Sequence, residues 1–260
     1  MHLIANLSLM FTQVPMLERF AAARRAGFGG VEIQFPYDHD VDDLVAARDE
    51  AGVEMVLINL PAGDMEAGEA GLTALPGREP DYRSAVDLAL AYARRLGVRK
   101  INSLAGKPKD GSAAEIARTA RENLTFAAEK FAELNAVVLV EPVNPADVPG
   151  FYLTELRAAM DLVSAVGLDN VKLLFDFYHM EQTEPSLTAA IRQCASMIGH
   201  VQFADTPGRH QPGTGRIDFA AAFQALKATG YDGHVSAEYR ASGSDGDSLG
   251  WMDDFKKWIE

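Results

Sequence analysis

One cysteine, Cys194, stands alone among 260 residues. A single thiol excludes an intramolecular disulfide framework and a cysteine-based zinc site. It lies in TAAIRQCASM, a helical pattern, and reads as a buried structural thiol. With no second cysteine and no signal-peptide pattern, the cytoplasm is the expected compartment. Apolar runs of transmembrane length are also missing, so no membrane-spanning helix is expected. The apolar N-terminus, MHLIANLSLMF, has neither a basic leading region nor a small-residue cleavage site, and it reads as a first strand. Basic residues are few, 24 Lys and Arg against 37 Asp and Glu, for a net charge of −13. That balance argues against nucleic acid and anionic membranes as partners, since both require basic patches. No nucleophile elbow, phosphate-cradling loop or His-Glu-x-x-His pair is read, so serine hydrolases, nucleotide-dependent kinases and zincins drop out.

What the chain does have is alternation. Strand-like runs are expected at 2–7, 30–35, 53–59, 98–104, 136–141, 171–176, 198–203 and 233–239. Stretches with apolar residues at three- and four-residue spacing lie between them, and several close on a glycine: Gly27, Gly52, Gly97, Gly167 and Gly230. The C-terminal LGWMDDFKKWIE supplies the last helix, with Trp251, Phe255 and Trp258 expected to cover its own barrel. Eight strand–helix units in one chain of this size predict an α/β fold, a (β/α)8 TIM barrel forming a single domain over 1–260. An open doubly wound sheet is the competing architecture, and its G-x-G-x-x-G opening is absent.

In such a barrel the strand ends converge on one mouth, where function collects. Residues at those ends include Asn6, Gln34, Asn59, Asn102, Glu141, Asp176, Gln202 and Glu238, all polar. Three carboxylates and an amide oxygen, from Glu141, Asp176, Gln202 and Glu238, form an all-oxygen set suited to a hard divalent cation such as Mg²⁺ or Mn²⁺. The same carboxylates can move protons on a hydroxy-carbonyl compound. Asn59 is assigned to the substrate side of this mouth. His179, three residues after Asp176, can ligate or donate to a substrate oxygen. Arg209, in a Gly/Pro-rich loop, can clamp a carboxylate. Arg78 reads as a helix-start residue or a second anion clamp, and Lys107 as a further positive group. Asp147 and Asp205 are expected beside the mouth, with Phe11, Phe35 and Tyr37 as candidate walls.

The segments ANLSLMF (5–11), GVEIQFPY (30–37), NLPAGDMEAGEAGLTALPGRE (59–79), VEPVNPADVPGFYLT (140–154), FDFYHM (175–180) and HVQFADTPGRHQPGTGRIDF (200–219) are specific. Together they resemble the hydroxypyruvate isomerase family, within the xylose-isomerase-like group of TIM barrels. The resemblance implies a divalent metal at Glu141, Asp176, Gln202 and Glu238, proton transfer by Glu141 and Glu238, and substrate contacts from His179 and Arg209. Related ketose epimerases typically place a histidine where this chain has Gln202. A neutral amide oxygen is a weaker ligand for many transition metals, so metal dependence stays open. The implied activity is interconversion of hydroxypyruvate and tartronate semialdehyde. A close branch resembles 2-oxo-tetronate isomerase, and ketose 3-epimerases share the barrel. The expected partner is a small hydroxy-keto acid, and a homo-oligomer is left open.

Overall fold

The alternation closes into a ring. The computed structural model describes residues 1–244 and 246–259. Its strands are β1 (His2–Asn6), β2 (Gly30–Ile33), β3 (Glu54–Asn59), β4 (Lys100–Asn102), β5 (Val137–Val140), β6 (Val171–Asp176), β7 (Ile198–Phe203) and β8 (His234–Ala237). All pair in parallel and in sequence order, and β8 returns to β1. The expected TIM barrel is the observed fold.

The helices form where the sequence signals them. They are α1 (Met16–Arg25), α2 (Val41–Ala51), α3 (Glu79–Leu96), α4 (Ala113–Phe131), α5 (Leu156–Val166), α6 (Phe177–Thr183), α7 (Leu187–Cys194), α8 (Phe219–Ala228) and α9 (Met252–Ile259). Asp40 accepts from the Asp42 N–H to open α2, and Gly52 closes it in the left-handed conformation that side chains resist. Ser112 and Glu115 form a reciprocal capping box at α4. The last helix packs on its own barrel. Trp258 stacks on Phe219 at 5.6 Å and Phe223 at 5.8 Å, and Phe255 meets Phe223 edge-on at 5.3 Å. Glu260, the end of that expected segment, lies outside the described residues.

Only β6 and β7 keep their expected bounds; the other six strands are shorter than expected. β2 stops at Ile33, because the Gln34 N–H turns to the Ser8 hydroxyl. β4 keeps only three residues of the expected 98–104. Two helices, α6 and α7, follow β6. The chain turns from β6 into α6 at Asp176, whose carboxylate accepts from the Tyr178 N–H as helix cap.

Two apolar layers result. The larger lies between strands and helices, and Cys194 is buried within it, as expected. The smaller gathers Ile4, Val56, Leu57, Leu139 and Leu174. Strand alternation places Ile4 on the same face as Asn6, Leu139 with Glu141, and Leu174 with Asp176, so this cluster fills the barrel beneath the mouth. A side chain at Gly30 would meet Ile4 Cγ2 at 2.9 Å, so the bare backbone is what admits the isoleucine.

Candidate active site

The strand ends deliver their polar residues to one place. Asn59, Glu141, His179, Gln202, Arg209 and Glu238 line a common cavity of about 220 Å³ at the mouth. Asp176 stands behind Arg209, 1% exposed. The structure thus brings Asn59, Glu141, Asp176, His179, Gln202, Arg209 and Glu238 together at the mouth.

Glu238 is the most heavily bonded. Its Oε1 accepts from Asn6 Nδ2 at 2.7 Å, Gln34 Nε2 at 2.8 Å and Gln202 Nε2 at 3.2 Å. Its Oε2 accepts from Arg209 Nη2. The same Arg209 nitrogen donates to Asp176 Oδ2 at 3.2 Å, so one guanidinium bridges two carboxylates. Arg209 also lies over the Tyr178 ring at 5.0 Å. Its backbone sits at φ 55°, a left-handed conformation that a non-glycine residue keeps only when its surroundings enforce it. Asp205 supplies the enforcement. Its carboxylate accepts from the N–H groups of Thr206, Gly213, Gly215 and Ile217, and so braces the loop that carries Arg209.

Glu141 stands apart from the guanidinium. Its Oε2 accepts from Asn102 Nδ2 at 2.7 Å, and its Oε1 lies 3.7 Å from His179 Nε2. Ligand atoms of Glu141, Asp176 and His179 lie within 4.8 Å of one another, a spacing that could hold a metal ion. The proton on His179 decides what it can contribute. Asn144 Oδ1 accepts from the Asp147 N–H, so its amide nitrogen faces His179 Nδ1 at 2.7 Å. The Asn144 backbone N–H, which can only donate, points to the same Nδ1. Nδ1 is therefore an acceptor, and a neutral imidazole carries its proton on Nε2. That makes Nε2 a donor towards the cavity. Burial, with the Arg209 charge nearby, holds His179 well below the usual histidine range, so it is neutral.

The carboxylates are strained electrostatically. Burial pushes Glu141 up to about 8, with the charges of Glu238 and Asp176 adding to it. Burial pushes Asp176 up to about 7 against the pull of Arg209. Glu238 is raised by burial too. A cation among these groups relieves both effects. Gln202 fits that role: its amide nitrogen is spent on carboxylates, while its buried Oε1 finds no hydrogen-bond partner among the described residues. An orphaned acceptor beside three carboxylates matches the donor set of a hard divalent ion.

Several expectations change. Arg78 precedes α3 and pairs with Glu69 and Asp81, so it is structural. Lys107 lines a neighbouring cavity with Arg78 and Glu69, and does not line the mouth cavity. Asp147 does reach the cavity and accepts from the Tyr178 hydroxyl at 3.2 Å. Phe35 lines the cavity, whereas Phe11 packs against Phe28, and Tyr37 donates to the Asn59 carbonyl. The spacing Gly-x-Ser-x-Gly does occur, at 246–250. Ser248 there is 1% exposed and its Oγ lies 3.1 Å from the Tyr239 hydroxyl, so it is packing and not a nucleophile elbow. Sequence reasoning missed Glu32. It is fully buried, and it accepts from Gln202 Nε2 at 2.6 Å and Asn6 Nδ2 at 2.8 Å.

Known proteins align closely. Hydroxypyruvate isomerase of Escherichia coli (strain K12) is 43% identical over 253 residues, 97% of this chain and 98% of that protein. A 2-oxo-tetronate isomerase of Cupriavidus necator is 39% identical over 95% of this chain and 96% of its own length. A crystal structure described as AP endonuclease, family 2 from Brucella melitensis superposes with a TM-score of 0.95 at 38% identity, covering 98% of each chain. The family description "Xylose isomerase-like TIM barrel" matches residues 20–260. With the closed barrel and its polar mouth, these likenesses establish that the chain belongs to the xylose isomerase-like TIM barrel family.

Proposed function

We propose that the protein is an isomerase that interconverts hydroxypyruvate and tartronate semialdehyde. The observation that carries this reading is the trio of buried carboxylates at the barrel mouth, with Asp176 and Glu238 bridged by one guanidinium and Glu141 beside them next to His179. The 43% identity to a hydroxypyruvate isomerase over nearly the whole chain supports the substrate.

The reaction moves hydrogen between adjacent carbons. One glutamate takes a proton from the hydroxymethyl carbon, leaving an enediolate. A carboxyl-borne proton returns to the former ketone carbon, and the other glutamate carries the hydroxyl proton from one oxygen to its neighbour. Glu141 and Glu238 take these roles in this reading, supported by burial that raises the proton affinity of both carboxylates. His179 Nε2–H donates to a substrate oxygen. Arg209 binds the substrate carboxylate, and its bridging contacts to Asp176 and Glu238 hold it at the mouth. Glu141, Asp176, Gln202 and Glu238 would hold Mg²⁺ or Mn²⁺, which when bound supplies electrostatic stabilisation of developing negative charge on oxygen.

The substrate is a small anion and the protein carries −13, so a local positive clamp is required to offset the overall field. That same charge weighs against nucleic acid as substrate, despite the description of the Brucella structure. The single, buried cysteine supports a reducing compartment, the cytoplasm. A second reading, 2-oxo-tetronate isomerase, is favoured by the 39% identity to the Cupriavidus protein. Both readings are tested by NMR of the purified protein in D2O with hydroxypyruvate, 2-oxo-tetronate and fructose, with and without Mg²⁺ or Mn²⁺. Fastest turnover of hydroxypyruvate supports the main reading. Silence on hydroxypyruvate with turnover of 2-oxo-tetronate overturns it in favour of the second.

A further inference from the structure

Beneath the mouth runs a chain of buried polar groups that no step above uses. Lys100 Nζ lies 3.2 Å from His200 Nδ1. His200 Nε2 lies 2.8 Å from Glu32 Oε2. Glu32 Oε1 then receives Asn6 Nδ2 and Gln202 Nε2, and both of those amides also donate to Glu238 Oε1. Glu32, His200 and Asn6 are all fully buried.

The direction of each bond follows from chemistry. An ammonium only donates, so Lys100 makes His200 Nδ1 an acceptor. A neutral imidazole then carries its proton on Nε2 and donates it to Glu32. Glu32 therefore accepts on both oxygens, Oε1 from Asn6 and Gln202 and Oε2 from His200.

An acceptor-only group opposite an amide dictates which way the amide faces. Glu32 and Glu238 both require the NH2 end of Gln202. Its carbonyl oxygen is left unpartnered beside the mouth cavity. We infer that Glu32 is a positioning residue: it orients Gln202 so that the amide oxygen, and not the amide nitrogen, is presented to a divalent cation at the mouth. The inference rests on the cation site of the proposed function and not on the identity of the substrate. It explains how a side chain with two nearly isosteric ends serves as an oxygen ligand.

The test is a double-mutant cycle in Mn²⁺ affinity, read from the free-ion EPR signal during titration and independent of turnover. In Glu32→Gln one end of the new amide becomes a donor, so either Gln202 or His200 loses its acceptor. Mn²⁺ binding is expected to weaken about 10–100-fold, the usual effect of losing a group that orients a metal ligand. Gln202→Ala should weaken it similarly, and the double variant should be no worse than Gln202→Ala alone. Additive losses, or wild-type affinity in Glu32→Gln, overturn the inference, as does a wild-type protein that binds no Mn²⁺. If Glu32→Gln does not fold, as judged by circular dichroism, Glu32→Asp carries the same cycle. It keeps a carboxyl group but draws the oxygen back from Gln202. A protein that binds Mn²⁺ with this coupling but ignores hydroxypyruvate would refute the substrate and leave the role of Glu32 standing.

Discussion

Replacing Glu141 by Gln should remove activity and stabilise the metal-free fold. The carboxylate is 6% exposed, and burial and its neighbours' charges move it from an ordinary 4.5 to about 8. Its ionised form is thus disfavoured in the folded protein. The sign follows from linkage. Below about pH 4.5 the group is protonated in both states and costs nothing. As pH rises towards 8 the unfolded chain gives up its proton more readily, and folding stability falls. At about 1.4 kcal/mol per tenfold change in proton affinity, the upper limit of the loss is about 5 kcal/mol. Relaxation and water entry reduce it, so about 1–3 kcal/mol is expected. Gln keeps an acceptor for Asn102 Nδ2 and carries no charge. In EDTA, Glu141→Gln should therefore melt roughly 2–8 °C above wild type at pH 8, and level with it near pH 5. Hydroxypyruvate turnover, followed by NMR, should fall at least ~10²-fold. A variant that melts below wild type at pH 8, or that keeps turnover within threefold, refutes the reasoning.

Other outcomes follow from the same geometry. Arg209→Ala should reduce kcat/KM for hydroxypyruvate far more than for a neutral ketose, and equal losses on both would reject the carboxylate clamp. Asp205→Ala strands four backbone N–H donors in the loop that carries Arg209; urea unfolding should show a loss of about 2–4 kcal/mol. Asn144→Asp should slow turnover more than Asn144→Ala, because a carboxylate draws the His179 proton to Nδ1 and removes the donor from the cavity. Equal rates for those two variants would show that the tautomer does not matter. Burial pushes the Cys194 thiol up to about 12. Ellman's reagent should therefore label the native protein very slowly at pH 8 and the urea-unfolded protein at once.

The barrel was legible because its signals are local and repeated: apolar runs, helical spacing, and glycines such as Gly52 and Gly97 where left-handed caps are needed. The mouth was legible because parallel strands deliver their last residues to one side, so Glu141, Asp176, Gln202 and Glu238 could be grouped without coordinates. Arg78 and Lys107 were harder. A loop arginine close in sequence to the mouth can be claimed by nearer acids, here Glu69 and Asp81, and only three-dimensional packing decides that. The protonation of His179 was invisible, because it depends on Asn144, 35 positions away. Glu32 left a signal that alternation hides. In GVEIQF it looks like the polar half of a two-faced strand, yet a barrel sheathed in helices buries both faces. A charge inside such a strand is an anomaly, and His200 in IGHVQF and Lys100 in VRKINSL are the matching anomalies on other strands.

The barrel interior is thus of two kinds, and they should answer mutation differently. Ile4, Val56, Leu57, Leu139 and Leu174 need only fill space. Aliphatic exchanges that conserve volume should pass there one at a time. Asn6, Glu32, His200 and Gln202 satisfy one another, so changing any one leaves its partners as buried donors or acceptors without a match. In a library of variants the first group should drift independently. The second should survive only in compatible combinations, inherited as a set.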